Sequence, residues 1–573
     1  MLGFDGPSMA SINDFLDELM TTKLSDDQRR TRLLSAGYFP AELPPPFSTA
    51  SFAKASRKLL GAISADRAIG FWTTPETFSI PRWAQMRRKL SIVNPINQLM
   101  VAHLIATNWE PIAEKLKSTK TSEFHPEIVW RGGRAVTGVN FDGVQRRKTE
   151  LLSTYGRYVK TDIVRFYSSV YTHSIAWALL GKDWVKSNLK KPAFKDHYAH
   201  SLDRAISAGQ SGQTTGIPIG PDTSRILSEL VASAVEDLAR ARLPDWDKRC
   251  VRYVDDMLLG LHETETPDAV LSPLSHALYD YGLELNGEKT SLHGVGLDHP
   301  PEWLHFVKHF QVSARQDGQR DDLDSYFEQA FHLAEANPRE NVVRYAVRRS
   351  TSFSVAPLNW DHYIRWLLYA VRRSPSCLGI VVEYTSSQFA KGRPLPITEI
   401  TSFIHQQIQT KTDAAHTYEV CWLLFWAREL QVEVEVQALR GVPQLRSSAV
   451  ALLTLDLRDR GLLNGKIEEA HWKAFCQADG LKSEMWLVAY EAPRKGWWST
   501  PRKTTYIDNH EFFGPVAAEN VSFYDSSRIA RARSGSDFLK LLLERERGVS
   551  SGYEEHSSEE ETSSASDEFD IYS

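Results

Sequence analysis

Cysteine is scarce in this 573-residue chain, and the four present, Cys250, Cys377, Cys421 and Cys476, lie far apart. That spacing gives neither a zinc site nor a disulfide framework and fits a reducing, cytoplasmic setting. No apolar run reaches the length of a membrane span, so no membrane partner is expected. The opening MLGFDGPSMASINDF lacks the basic-then-apolar layout of an export signal. Positive charge is missing at the far end, where residues 551–573 hold eight acids and no Lys or Arg. The formal net charge of −5 therefore hides a body carrying +3. A mildly basic body with an acidic, Ser-rich tail fits a polyanion binder better than the total suggests.

What is present centres on Arg252-Tyr253-Val254-Asp255-Asp256-Met257. Cys250 to Val254 is apolar and β-branched, two aspartates break the run, and Met257 to Leu261 resumes it. The pattern predicts a hairpin with paired carboxylates at its tip. Adjacent carboxylates repel unless a cation neutralises them, and hard oxygen ligands suit Mg²⁺. Upstream, Tyr158 to Val164 alternates like a strand and carries Asp162 near its end, where a two-metal carboxylate cluster would draw a further ligand. Arg165-Phe166-Tyr167-Ser168-Ser169 follows, then a helical stretch from Val170 to Leu180. Between the two acidic segments, a Gly/Pro-rich loop from Gly212 to Ser224 enters a helix with Ile226, Leu227, Leu230, Val231, Ala234 and Leu238 on one face. Glycine permits close backbone approach to a ligand, and the helix start is expected to favour phosphate.

The remaining segments frame this core. An amphipathic helix is expected around Ile12, Phe15, Leu16 and Leu19. Four prolines between Pro40 and Pro46 then forbid a helix and predict an extended arm, whose Tyr38, Phe39 and Phe47 suggest that it packs on something. Arg82, Arg87, Arg88 and Lys89 precede a short β-type run, and Arg131, Arg134, Arg146, Arg147 and Lys148 add positive charge. Tyr281 to Thr290 reads as a helix end, a turn and a strand carrying Lys289, and Trp303 to Val307 as a short strand. From about residue 321 to 543 the pattern turns helical, with Trp360, Ile364, Leu367, Leu368 and Val371 on one face and Val420 to Trp426 fully buried. No strict period appears, and a divergent HEAT-like array is the reading. From about residue 549 the tail is expected to be disordered.

In this order, basic strands, strand Asp, Gly/Pro loop, YVDD and lysine, the chain resembles a reverse transcriptase read from fingers to palm over roughly residues 50–310. The resemblance implies that Asp162, Asp255 and Asp256 are the catalytic aspartates, holding two Mg²⁺ ions together with the Ile163 backbone. It implies that Arg88, with Arg82 and Lys89 near by, holds the triphosphate of an incoming dNTP. Tyr167 would be the aromatic gate under the sugar, Pro218 and Gly220 the nucleotide-side loop, and Lys289 the proton donor to leaving pyrophosphate. The segments GYFPAELPPPF, TDIVRFYSSVYTHSIAWALLGK, GIPIGPDTSRILSE and YVDD are similar to the bacterial abortive-infection, or defence-associated, reverse transcriptases. That similarity implies an α+β fold: residues 1–50 a helix and arm, 51–320 fingers and palm, 321–548 an all-α helical repeat domain replacing the thumb, and 549–573 an acidic tail. It also implies anti-phage defence, homo-oligomers, and in some members template-free synthesis with the DNA attached covalently to a tyrosine of the enzyme. Tyr38 is the first choice for that tyrosine, with Tyr553 and Tyr572 as rivals. Ile219 stands where templated enzymes usually carry glutamine.

Two other readings use the same residues. One is an RNA-templated reverse transcriptase working from a specific small non-coding RNA, against which Ile219 and the missing thumb weigh. The other is a non-catalytic nucleic-acid-binding scaffold, against which the intact Asp162, Asp255, Asp256, Lys289 and Tyr167 weigh.

Overall fold

The computed structural model describes residues 23–82, 86–294, 302–498 and 505–530. The helix expected around Ile12, Tyr553 and Tyr572 lie outside the described residues. Two antiparallel units position the site. Strands β1 (Glu76–Pro81) and β2 (Arg87–Ile92) form a hairpin in which Ile80 faces Arg88. Strands β3 (Arg157–Thr161), β4 (Cys250–Tyr253), β5 (Asp256–Leu261) and β6 (Ser291–Gly294) form a sheet in the order β4-β5-β3-β6. The strands of its centre are apolar on both faces because both are covered. Met257, Leu259 and Leu261 enter the main core, whereas Val251 and Leu258 pack with Tyr155 and Tyr158 on the other side. The helix Asp222–Arg242 lies across the sheet with Ile226, Leu227, Leu230, Val231 and Ala234 buried, as its periodicity predicts.

The proline-rich segment does not run extended, although its aromatics pack as they suggested. It folds as successive turns, and its aromatics are absorbed by distant parts of the chain. Phe39 meets Phe523 at 6.1 Å between ring centroids, Phe47 meets Tyr524 edge-on at 5.2 Å, and the Trp422 indole donates to the Glu42 carbonyl. Proline removes the helical alternative, and the rings then gain by burial whatever shelters them.

Beyond the palm the described chain is mostly helical. Trp360–Arg373 buries the predicted face, and all but one residue of Thr417–Glu429 is buried. Trp303 to Val307, read as a strand from its apolar run, lies instead in the helix Glu302–His309, which buries Trp303 and Val307 one turn apart. Short apolar runs do not distinguish strand from helix, and here the turn spacing decides. The helical region grips the fingers through Arg87, whose guanidinium donates two 2.7 Å hydrogen bonds to the buried Glu419. No helix among the described residues is long and apolar enough to cross a membrane.

Candidate active site

Asp162 follows β3 directly, and Thr161 pairs with Met257 across the ladder. Extending that register by one residue sets Asp162 opposite Asp256. The β4–β5 turn adds Asp255, so all three carboxylates arrive at one end of the sheet. The turn is tight: Val254 adopts φ 57°, a left-handed conformation unfavourable for a β-branched residue. Arg165, just past Asp162, is also left-handed at φ 46°. Such backbone clusters at functional sites when the surroundings enforce it.

The electrostatics are those of a site short of positive charge. Burial, and then Asp162, push the Asp255 carboxyl up; burial and Asp255 push Asp256 well above the usual carboxylate range. Lys289 and Arg88 oppose the shift at Asp255, and Lys160 and Lys289 oppose it at Asp256. Asp162 is buried, with one oxygen accepting from the Lys289 ammonium and Oδ1 left without a hydrogen-bond partner. An orphaned buried carboxylate oxygen beside two mutually repelling carboxylates fits a divalent cation, with Asp162, Asp255 and Asp256 as the residues that would hold it. Among the described residues no group of three or more Asp, Glu, His or Cys side chains is arranged to hold a metal ion by itself; a hard divalent cation needs only one or two carboxylates, with water and substrate phosphate completing its shell. Ile163 lies in an isolated bridge with Leu285. The flanking Asp162 carbonyl and Val164 amide make the hydrogen bonds there, to Asn286 and Glu284.

Tyr167 sits over this end of the sheet. Its hydroxyl accepts from Ser228 on the long helix, and its carbonyl accepts from the Ile217 amide at 2.8 Å. Burial raises the Tyr167 phenol, and both Asp255 and Arg88 act on it electrostatically. Arg88 thus acts electrostatically on Tyr167 and Asp255 together. Lys89 does not share that side. Successive strand residues face opposite ways, which puts Lys89 with Arg87, the residue bound to the helical region. Arg82 closes the fingers hairpin, its amide bonded to the Met86 carbonyl.

The Gly/Pro loop is held from beneath. Gly220 adopts φ 126°, and a Cβ there would approach Pro40 at 3.0 Å. The Gly220 carbonyl accepts from Arg134 at 2.8 Å, and the Ile219 carbonyl accepts from the Ser91 amide of β2 at 2.8 Å. Pro218 is half-buried. The helix start does not offer phosphate a free site, as its sequence suggested. Asp222 is fully buried there; its amide donates to the Gly37 carbonyl, and its carboxylate is gripped by Arg134 and Arg225. Burial alone would raise Asp222, but the two guanidiniums bring it below its ordinary value. Arg134 is therefore internal scaffolding and not part of a solvated basic face, and Arg147 likewise donates to the Lys120 and Cys250 carbonyls.

Tyr38 is corrected as well. It is completely buried, its hydroxyl donates to the Val93 carbonyl at 2.6 Å, and burial drives its phenol well up. A mobile priming hydroxyl needs the opposite. The sequence reading missed Lys160 and Arg252. Lys160 was legible, since a residue two before Asp162 on a strand shares its face.

Residues 92–309 match the family described as reverse transcriptase (RNA-dependent DNA polymerase). The chain carries a reverse transcriptase domain. The matched span contains Asp162, Tyr167, Asp255, Asp256 and Lys289. The fingers residues Arg82, Arg88 and Lys89 precede it. No curated protein matches the chain. Among solved structures, apo telomerase from Candida tropicalis is similar at 13% identity and TM-score 0.30, over 67% of this chain and 69% of that one. The same telomerase truncated from its C-terminal domain is matched over 40% of this chain at 13% identity and TM-score 0.27, and the chain spans about half, 52%, of its length. Telomerase from Candida albicans in complex with a TWJ fragment of telomeric RNA is similar at 13% identity and TM-score 0.27, over 70% of this chain and 65% of that one. The assignment of the reverse transcriptase domain rests on the family match and the carboxylate geometry.

Proposed function

We propose that this chain is a DNA polymerase of anti-phage defence that joins dNTPs by Mg²⁺-dependent nucleotidyl transfer and needs no nucleic-acid template. The observation that carries the chemistry is the meeting of Asp162, with its orphaned Oδ1, and the Asp255–Asp256 turn. When bound, two Mg²⁺ ions supply activation of the attacking hydroxyl and stabilisation of the leaving oxygen. Asp162, Asp255 and Asp256, with the Ile163 backbone, would hold those ions. Arg88 and Arg82 orient the triphosphate from the fingers, as electrostatic positioning of phosphoryl transfer requires. The Tyr167 ring occupies the space of a 2′-hydroxyl and selects dNTPs. Lys289, already against Asp162, moves a proton from Nζ to departing pyrophosphate.

Template independence is supported by Ile219, an apolar residue whose carbonyl ties the loop to β2, and by a helical region that docks on the fingers through Arg87 and Glu419. That region serves as a HEAT-like array in place of a thumb and joins copies of the chain into an oligomer. The defence role is supported by similarity of the four quoted segments to the abortive-infection enzymes. The test is to supply purified chain with Mg²⁺ and dNTPs, with and without primer–template, to sequence the product and to ask whether it stays on the protein. DNA of no defined template sequence, made without added nucleic acid, is the expected result. A single defined cDNA would point to a bound non-coding RNA and overturn template independence, and no incorporation at all would overturn the polymerase reading.

A further inference from the structure

Behind the catalytic turn lies a charged assembly that the reaction itself does not use. Arg252, on β4, has no exposed surface. Its Nη1 and Nη2 donate to the two oxygens of Glu229 at 2.8 and 2.6 Å, its Nε donates to Glu236, and Nη1 also donates to the Val254 carbonyl at 2.9 Å. Both glutamates are buried on the helix Asp222–Arg242, seven residues or two turns apart. Ser122 donates to Glu229 at 2.9 Å and Thr121 donates to Glu236. Taking such a group out of water is costly, and a hydrophobic replacement of similar volume is commonly neutral or stabilising. Stability alone therefore does not explain its presence.

The guanidinium bond that reaches the catalytic turn goes to the Val254 carbonyl, and Val254 is the residue with the unfavourable left-handed backbone. A peptide unit is planar and trans, so fixing that carbonyl toward Arg252 turns the Asp255 N–H the other way. Only a planar fork with donors on Nε and both terminal nitrogens reaches these acceptors at once; a lysine ammonium does not.

We propose that Arg252, braced by Glu229 and Glu236, is a positioning residue for the metal-binding turn: it locks the Val254–Asp255 peptide and so presents the Asp255 carboxylate to the divalent cation. This rests on the reading that Asp162 and Asp255 bind that cation. Outer partners that orient metal ligands typically contribute about 10- to 100-fold to metal affinity.

The test uses Mn²⁺ as the probe, titrated into full-length protein without nucleotide and followed by electron paramagnetic resonance. Wild type, Asp255→Asn and a triple Arg252→Met, Glu229→Met, Glu236→Met variant are compared. The triple variant removes the carbonyl clamp and leaves no buried charge unpaired. It is expected to fold, to bind Mn²⁺ about tenfold more weakly, and to exchange the Asp255 amide faster with deuterium. At saturating metal its KM for dNTP should be unchanged. Wild-type Mn²⁺ affinity in the folded triple variant overturns the proposal. Should it not fold, Arg252→Lys decides by the same titration, weaker binding supporting the clamp and unchanged binding refuting it. Indistinguishable binding by wild type and Asp255→Asn would instead overturn the metal reading on which the proposal stands.

Discussion

Replacing Glu76 by glutamine tests how the fingers hairpin is seated on the helical region. Glu76 opens β1 and is completely buried. Its Oε1 accepts from Ser447 Oγ at 2.7 Å and from the Ala449 amide at 3.4 Å, at the start of the helix Ser448–Asp459. Oε2 is buried with no hydrogen-bond partner. Burial pushes this carboxyl from 4.5 up to about 7, against the pull of Ser447 and the other hydrogen bonds there. The folded chain therefore holds the proton more tightly than the unfolded one, so stability falls as pH rises from about 4.5 to about 7 and stays lowered above that. At about 1.4 kcal/mol for each tenfold change in proton affinity, the ionised group costs the fold about 3 kcal/mol at pH 8. Glutamine keeps the Oε1 acceptor and cannot ionise. In side-by-side denaturant unfolding, Glu76→Gln should lie within about 1 kcal/mol of wild type at pH 5 and exceed it by about 3 kcal/mol at pH 8. Parallel pH dependence of the two proteins, or a variant less stable at pH 8, would refute the reasoning.

Asp255→Asn should abolish dNTP incorporation while leaving the melting temperature of metal-free protein unchanged or higher, because it removes one of the repelling carboxylates; full incorporation with Mg²⁺ present would sink the catalytic assignment. Tyr167→Ala should let rNTPs compete with dNTPs in single-nucleotide incorporation, and unchanged discrimination would place the gate elsewhere. Ile219→Gln restores a polar side chain beside β2 and should raise extension of an annealed primer–template; no gain would mean the template path is closed by another element. Self-association through the helical region predicts an assembly larger than one chain at micromolar concentration by mass measurement, contradicted by an active monomer.

Some of the site was legible because it is local. The break in an apolar run at Asp255-Asp256 could only be a turn, and the alternation from Tyr158 to Val164 could only put Asp162 at a strand end. The face of the helix Asp222–Arg242 followed from spacing for the same reason.

The sequence by itself determined which chemistry is carried and on which elements, because strand and helix periods are properties of neighbours in the chain. Tertiary structure alone decided the partners. Arg134 lies 88 residues from Asp222, and Arg87 lies 332 residues from Glu419. No local pattern tells such arginines from solvated ones such as a basic surface would carry. Tyr38 is the same case: the prolines fixed that no helix forms, but the choice between a reaching arm and a buried anchor belonged to Val93 and Phe52, which the fold brings to it. The conformation of Val254 is likewise imposed from outside, by a guanidinium and a helix whose glutamates lie 23 and 16 residues before Arg252 in the chain. A β-branched residue does not choose a left-handed backbone from its own preferences.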